Sequence, residues 1–201
     1  MEATTSERVL QWVRERGVVR AKDLAAAGFS PTHLQRLYER GLLLRSGRGV
    51  YLTPEAEGEE RLSLVEISRR APDAVICLLS ALDFHALTTQ IPHAVWMARS
   101  PRTPRAQRPG WPPTRLVQMT GAALTEGVET HVILNTPVRV FSPAKTVADC
   151  FKFRSRVGLD VALEALRDAW RKKRATMDEL VHYGEVCRVA SVMRPYLESL
   201  T

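Results

Sequence analysis

Residues 31–40, P-T-H-L-Q-R-L-Y-E-R, carry side chains suited to reading nucleic-acid bases. Gln35 and Arg36 are the two side-chain types that make bidentate contacts to base edges, glutamine to adenine and arginine to guanine. On a helical wheel Leu34, Leu37 and Tyr38 face one way; Thr32, Arg36 and Glu39 face away, flanked by His33, Gln35 and Arg40. A helix in the major groove offers its N-terminal half and outer face to the bases in this manner. Ser30, Thr32 and His33 stand at the N-terminal end, where the helix dipole and free N–H groups favour phosphate. Arg45 and Arg48 follow closely and would lie along the backbone or the minor groove. Plain solvation also produces polar helix faces, so the pattern needs a scaffold to give it meaning.

The first 53 residues supply one. Thr4 with Glu7 three positions on is a capping box that opens a helix, and Val9, Trp12 and Val13 give it an apolar stripe before Gly17 stops it. Val18-Val19 is short and β-branched. A second helix over 21–27 turns Leu24 inward and ends at Gly28. Ser30 is a good N-cap and Pro31 a good first residue for the third helix, which Gly41 closes. L-L-L-R-S-G-R-G-V-Y-L then reads as a hairpin tipped by Ser46-Gly47-Arg48-Gly49. Three helices and a hairpin in this order make a winged helix-turn-helix, with Ala27-Gly28-Phe29-Ser30 as the short turn between helices two and three. Winged helices also serve as protein-interaction modules.

The remainder reads as a mixed α+β domain with a small sheet, giving an α+β chain divided into residues 1–54 and 55–201 at the break after Thr53-Pro54, where Glu55, Glu57, Glu59 and Glu60 cluster. Residues 59–71 read as helix to Pro72-Asp73, and the apolar run 74–89 as helix through much of its length. Residues 94–98 and 115–119 read as strands flanking a long Arg/Pro loop, and 128–134 as a strand turning at Asn135-Thr136-Pro137 into V-R-V-F. Ser142-Pro143 caps a helix with Val147 and Phe151 inward. The next helix places Leu159, Leu163, Leu166 and Trp170 on its inner face, and Thr176 with Glu179 opens another, ending near Cys187.

Of the 201 residues, 29 are Lys or Arg against 22 Asp or Glu, a formal charge of +7, and nearly all the basic residues are arginine. Genome composition alone also produces arginine richness. The winged-helix part is only modestly basic, with nine basic against five acidic residues up to residue 53. From Phe84 to Thr125 there is no acidic residue, and Arg99, Arg102, Arg105, Arg108 and Arg115 all fall there. With Arg171, Lys172, Lys173 and Arg174, the arginines at 99, 102, 105 and 108 suggest a second basic surface facing DNA flanks, RNA or an acidic partner. The 171–174 run is equally what a helix dipole favours at its C-terminus.

Several chemistries are missing. There is no D/E-x-K, no G-x-x-x-x-G-K-[ST] and no Gly-Ser dyad followed by D-x-D or D-x-E, and Ser80 lacks a G-x-S-x-G setting. The five histidines and three cysteines lack metal-ligand spacing, so no catalytic residue, metal or cofactor is expected. Cys77, Cys150 and Cys187 read as reduced thiols in a cytoplasmic protein. The start has neither a basic region nor an apolar core, so no signal peptide is expected, and the most apolar stretch, residues 74–79, is far short of a membrane span.

S-A-L-D-F-H-A-L-T (Ser80 to Thr88) and F-S-P-A-K-T-V-A-D (Phe141 to Asp149), behind an N-terminal winged helix, resemble the AbiEi family of antitoxins over about residues 6–175. One departure is Ala86, where the pattern has glycine after the histidine. The resemblance implies a type IV toxin–antitoxin protein. It would bind double-stranded DNA at promoter repeats and repress its own operon. Its C-terminal domain would counteract a cognate nucleotidyltransferase-like toxin without a stable complex. The resemblance transfers no chemistry to His85, Lys145 or Asp149, which read as a histidine hydrogen-bonded in the core, a residue in the first turns of a helix and a residue pairing locally. The alternative is a DNA-binding transcriptional regulator whose C-terminal domain binds a ligand or partner and opposes no toxin.

Overall fold

The structure, a computed structural model, describes residues 4–47, 49–103 and 112–200. Arg48, Arg105 and Arg108 lie outside the described residues. Two units form. The first holds the described residues up to Pro72 together with Pro112 and 132–138; the second holds the rest.

In the first unit, α1 (Thr5–Arg14), β1 (Val18–Arg20), α2 (Ala21–Ala26) and α3 (Thr32–Glu39) are followed by β2 (Leu44–Gly47) and β3 (Val50–Leu52), which pair antiparallel in the order β1-β3-β2. The capping box closes as expected: Thr4 N–H donates to the Glu7 carboxylate at 2.7 Å, and Glu7 N–H to Thr4 Oγ1 at 3.3 Å. Gly28, at φ +83°, lets the chain reverse between α2 and α3. Val9, Val13, Val19, Leu24, Leu34 and Leu37 form the core. Two short helices, α4 (Pro54–Glu57) and α5 (Leu62–Arg70), complete the unit. Proline begins α4, amid the acidic cluster, and buries Ala56.

Two details differ from the sequence reading. Helix α3 starts at Thr32 rather than Pro31, because its first turn closes by short bonds, His33 N–H to the Ser30 carbonyl and Leu34 N–H to the Pro31 carbonyl. Tyr38, expected inward, keeps 40% of its surface exposed, its ring lying edge-on to Tyr51.

The second unit is built on β4 (Val75–Ile76), α6 (Leu78–Phe84), β5 (Val95–Arg99), β6 (Thr114–Gln118), α7 (Ala122–Thr125), β7 (Val128–Ile133), β8 (Thr136–Phe141), α8 (Pro143–Lys152), α9 (Arg154–Val157), α10 (Leu159–Arg171), α11 (Met177–Val186) and α12 (Ala190–Glu198). Its sheet runs β6-β5-β4-β8-β7. β5 and β6 are parallel, from Val95↔Thr114 to Arg99↔Gln118. Parallel neighbours need a long crossover, which accounts for the length of the Arg/Pro segment between them. The architecture is mixed α+β with small sheets.

The run 74–89, expected to be mostly helical, enters as strand β4 and becomes helical only at Leu78. An apolar stretch buried on all sides has no period that separates the two. The turn expected at 135–137 lies at Leu134-Asn135, both at positive φ, the signature of a two-residue type I′ hairpin, so Thr136-Pro137 already belong to β8. The buried face of α10 is Val161, Ala162, Ala165, Leu166 and Ala169, while Leu159 is exposed and Leu163 and Trp170 are half-buried. Leu166 meets the core as expected, with Val161 and three alanines beside it in place of Leu159 and Trp170. Helix α12 was not foreseen.

Ala86 follows the C-cap of α6 at φ +55°. Its N–H bonds to the Asp83 carbonyl, and Leu87 N–H reaches the Leu82 carbonyl. This left-handed C′ position is one that glycine ordinarily fills.

Candidate nucleic-acid interface

Helix α3 buries Leu34 and Leu37 and turns Thr32, Gln35, Arg36, Glu39 and Arg40 outward; Ser30 is exposed just before it and His33 half-exposed. Ser30 Oγ and Thr32 Oγ1 bond to each other at 2.8 Å, and Ser30 Oγ accepts the Thr32 N–H. The first amides of α3 are thus engaged within the turn, through Thr32, His33 and Leu34. This corrects the expectation of free N–H groups at this end of the helix.

Gln35 is held at both ends of its amide. Its Nε2 donates to Glu39 Oε1 at 2.9 Å, and its Oε1 accepts from Tyr51 Oη at 3.2 Å. Sequence reasoning passed over Tyr51 because it reads as an apolar strand residue in V-Y-L, and it is indeed 6% exposed in the core. Arg45 projects from β2 opposite Tyr51, and its Nε donates to the Gly47 carbonyl at 3.3 Å.

Helix α5, outside the 1–54 segment, braces this scaffold. Ser46 Oγ on β2 donates to Glu66 Oε1. Glu66 is 3% exposed, with its other oxygen 4.0 Å from Arg70 Nη2. Burial pushes the Glu66 carboxyl above its usual range, against the charge of Arg70. Arg69 Nη2 donates to the Arg16 carbonyl at 3.1 Å. On α2, burial works to raise the Asp23 carboxyl, but the hydrogen bonds and charge of Arg20 outweigh it and hold it low.

The second basic set fares differently. Arg99 is 9% exposed and makes two 2.9 Å bonds to the Asp73 carboxylate, so it does not belong to an open basic surface. Burial raises that carboxyl, and Arg99 overcomes the effect and keeps it below the ordinary range. Arg102 is exposed. Arg171 and Lys172 both reach Asp168, at 2.7 and 2.6 Å, and Lys172 Nζ also donates to the Ala86 carbonyl at 2.7 Å. Lys173 and Arg174 are exposed at the end of α10, where cations suit the dipole.

Among the described residues no group of three or more His, Cys, Asp or Glu side chains could hold a metal, and no helix is long and apolar enough to cross a membrane. His85 is buried with Nε2 2.8 Å from the Phe141 carbonyl, and burial lowers its pKa. Lys145 Nζ sits 2.6 Å from Asp149 Oδ2, both fully buried, and Cys187 Sγ donates to Asp149 Oδ1 at 3.2 Å. Burial pushes the Asp149 carboxyl up against the pull of Lys145. Burial and Asp149 together push the Cys187 thiol up to about 12.

A helix-turn-helix with a wing, its third helix polar outward, is an architecture that DNA-binding regulators use. Residues 7–54, the winged-helix segment, match the family model described as transcriptional regulator, AbiEi antitoxin. The fold as a whole is similar to the crystal structure of the Rv2827c protein from Mycobacterium tuberculosis, at a TM-score of 0.65 and 16% identity, covering 98% of this chain and 78% of that one. No curated protein sequence gives a match.

Proposed function

We propose that this protein is an antitoxin and transcriptional autorepressor of a type IV toxin–antitoxin operon, acting in the cytoplasm. Residues 1–54 bind promoter repeats as double-stranded DNA. Residues 55–201 counteract a nucleotidyltransferase-like toxin without a lasting complex and without a catalytic step of their own. In this reading Thr32, His33, Gln35, Arg36 and Arg40, with Ser30 at the helix start, address the major groove, and Arg45 and Arg48 address the backbone from the wing. The observation that carries the reading is the AbiEi antitoxin match over residues 7–54, the same residues that put α3's polar face outward.

The test has two arms. Footprinting of the upstream region should show protection of repeated sequence by the wild-type protein and its loss in Arg36→Ala. Co-expression with the product of a neighbouring nucleotidyltransferase-like gene should restore growth. Protection without rescue would favour the second reading, a regulator whose second domain binds a ligand. That reading draws on the groove of about 310 Å³ between α11 and α12, lined by Met177, Leu180, Val181, Gly184, Met193 and Leu197. RNA as a partner of Arg102, Lys173 and Arg174 would show as antitoxin activity lost on reversing those charges.

A further inference from the structure

The Gln35 amide is oriented by two groups with opposite hydrogen-bonding capacities. An ionised carboxylate only accepts, so Glu39 Oε1, 2.9 Å away, fixes which end of the amide is nitrogen. Oε1 is left facing Tyr51 Oη at 3.2 Å, and that hydroxyl donates to it. Tyr51 is itself buried in the core and edge-on to Tyr38 at 6.4 Å, so its hydroxyl has a fixed address. Each bond uses half of what its atom offers. One lone pair on Oε1 and one N–H on Nε2 stay uncommitted to these two partners, and Gln35 is exposed on the helix.

That leftover edge has a complement. In the major groove adenine shows a donor at N6 beside an acceptor at N7, whereas guanine shows acceptors at both O6 and N7. A glutamine free to rotate gives one N–H to either purine. A glutamine whose carbonyl cannot turn away sets acceptor against acceptor at guanine O6. We propose that Tyr51 and Glu39 are specificity-determining positioning residues that convert Gln35 from a purine-tolerant contact into an adenine reader. This rests on α3 being the DNA-reading helix.

The full chain is used for the test. A randomised duplex library first gives the preferred sequence of the wild-type protein. Fluorescence anisotropy then measures binding to that duplex and to one in which the A·T pair sensitive to Gln35→Ala is replaced by G·C. The wild-type protein should prefer A·T roughly tenfold or more, the ratio expected for one bidentate pair. Tyr51→Phe keeps the ring and its packing but removes the donor. Both it and Glu39→Ala should shrink the ratio to a few-fold while binding to the cognate duplex changes less. Damage to the fold would weaken both duplexes alike and leave the ratio standing. A ratio unchanged in both variants overturns the inference and leaves DNA reading by α3 in place. A library from which the wild-type protein selects no sequence overturns the DNA reading, and the inference with it.

Discussion

Two helices carry polar partners at the same spacing of four residues, with opposite outcomes. On α3, Gln35 and Glu39 meet at 2.9 Å in the open; on α8, Lys145 and Asp149 meet at 2.6 Å with no exposure at all. Spacing brings both pairs together because residues i and i+4 share a helix face. What surrounds the face decides the rest. Around α3's outer face there is solvent and one buried hydroxyl, so the pair keeps unused hydrogen-bonding capacity. Around Lys145 and Asp149 lie Phe141, whose ring centroid is 4.1 Å from the ammonium, and Cys187, so that capacity is consumed inside the protein. A polar pair is thus a recognition element or a structural one according to what it has left to offer.

The largest effect should come from breaking the buried pair. Lys145→Ala leaves an unpaired buried carboxylate and should cost about 3–5 kcal/mol in denaturant unfolding, while Lys145→Met with Asp149→Leu should be close to neutral. A single substitution costing less than about 1 kcal/mol would remove the contrast with α3. Next comes the exposed face: Arg36→Ala should weaken specific DNA binding by about 1–3 kcal/mol in a gel shift, with the melting temperature unmoved. Intermediate between the extremes is Glu66, buried but only half satisfied. Its folded state holds a proton more tightly than the unfolded chain. Stability should therefore fall as pH climbs from the ordinary glutamate range through the raised folded value. Glu66→Gln should flatten that decline in thermal melts between pH 4 and 8, and gain about 1 kcal/mol at the upper end. The smallest effect on stability belongs to Glu39→Ala, within about 0.5 kcal/mol by chemical denaturation, since an exposed i,i+4 contact contributes little.

Much of the first unit was legible because local signals and tertiary packing agree there. Thr4 and Glu7 cap where they should, Gly28 turns, and Leu34 and Leu37 pack. The reading ran out where a residue's role depends on something distant in sequence. Nothing around Tyr51 announces that its hydroxyl reaches back sixteen residues to Gln35, and nothing around Ser46 announces Glu66. In the second unit, Ala74 to Leu79 carries no period, so strand β4 was hidden in what read as helix. On α10 the large side chains at 159 and 170 drew the reading away from Val161 and the three alanines that share the buried face with Leu166, because counting large side chains overlooks close approach between helices. Arg99 was assigned to a basic surface because the stretch from Phe84 to Thr125 holds no acidic residue; its partner Asp73 lies 26 residues away.

Tyr51 also sets a limit on modularity. Its ring belongs to the core while its hydroxyl serves the exposed face of α3. Transplanting α3 into another winged helix would carry Gln35 and Glu39 along but leave the tyrosine behind, and the amide would be free to spin. The transferable unit is the helix together with the third strand, since only the two together hold the Gln35 amide at both ends.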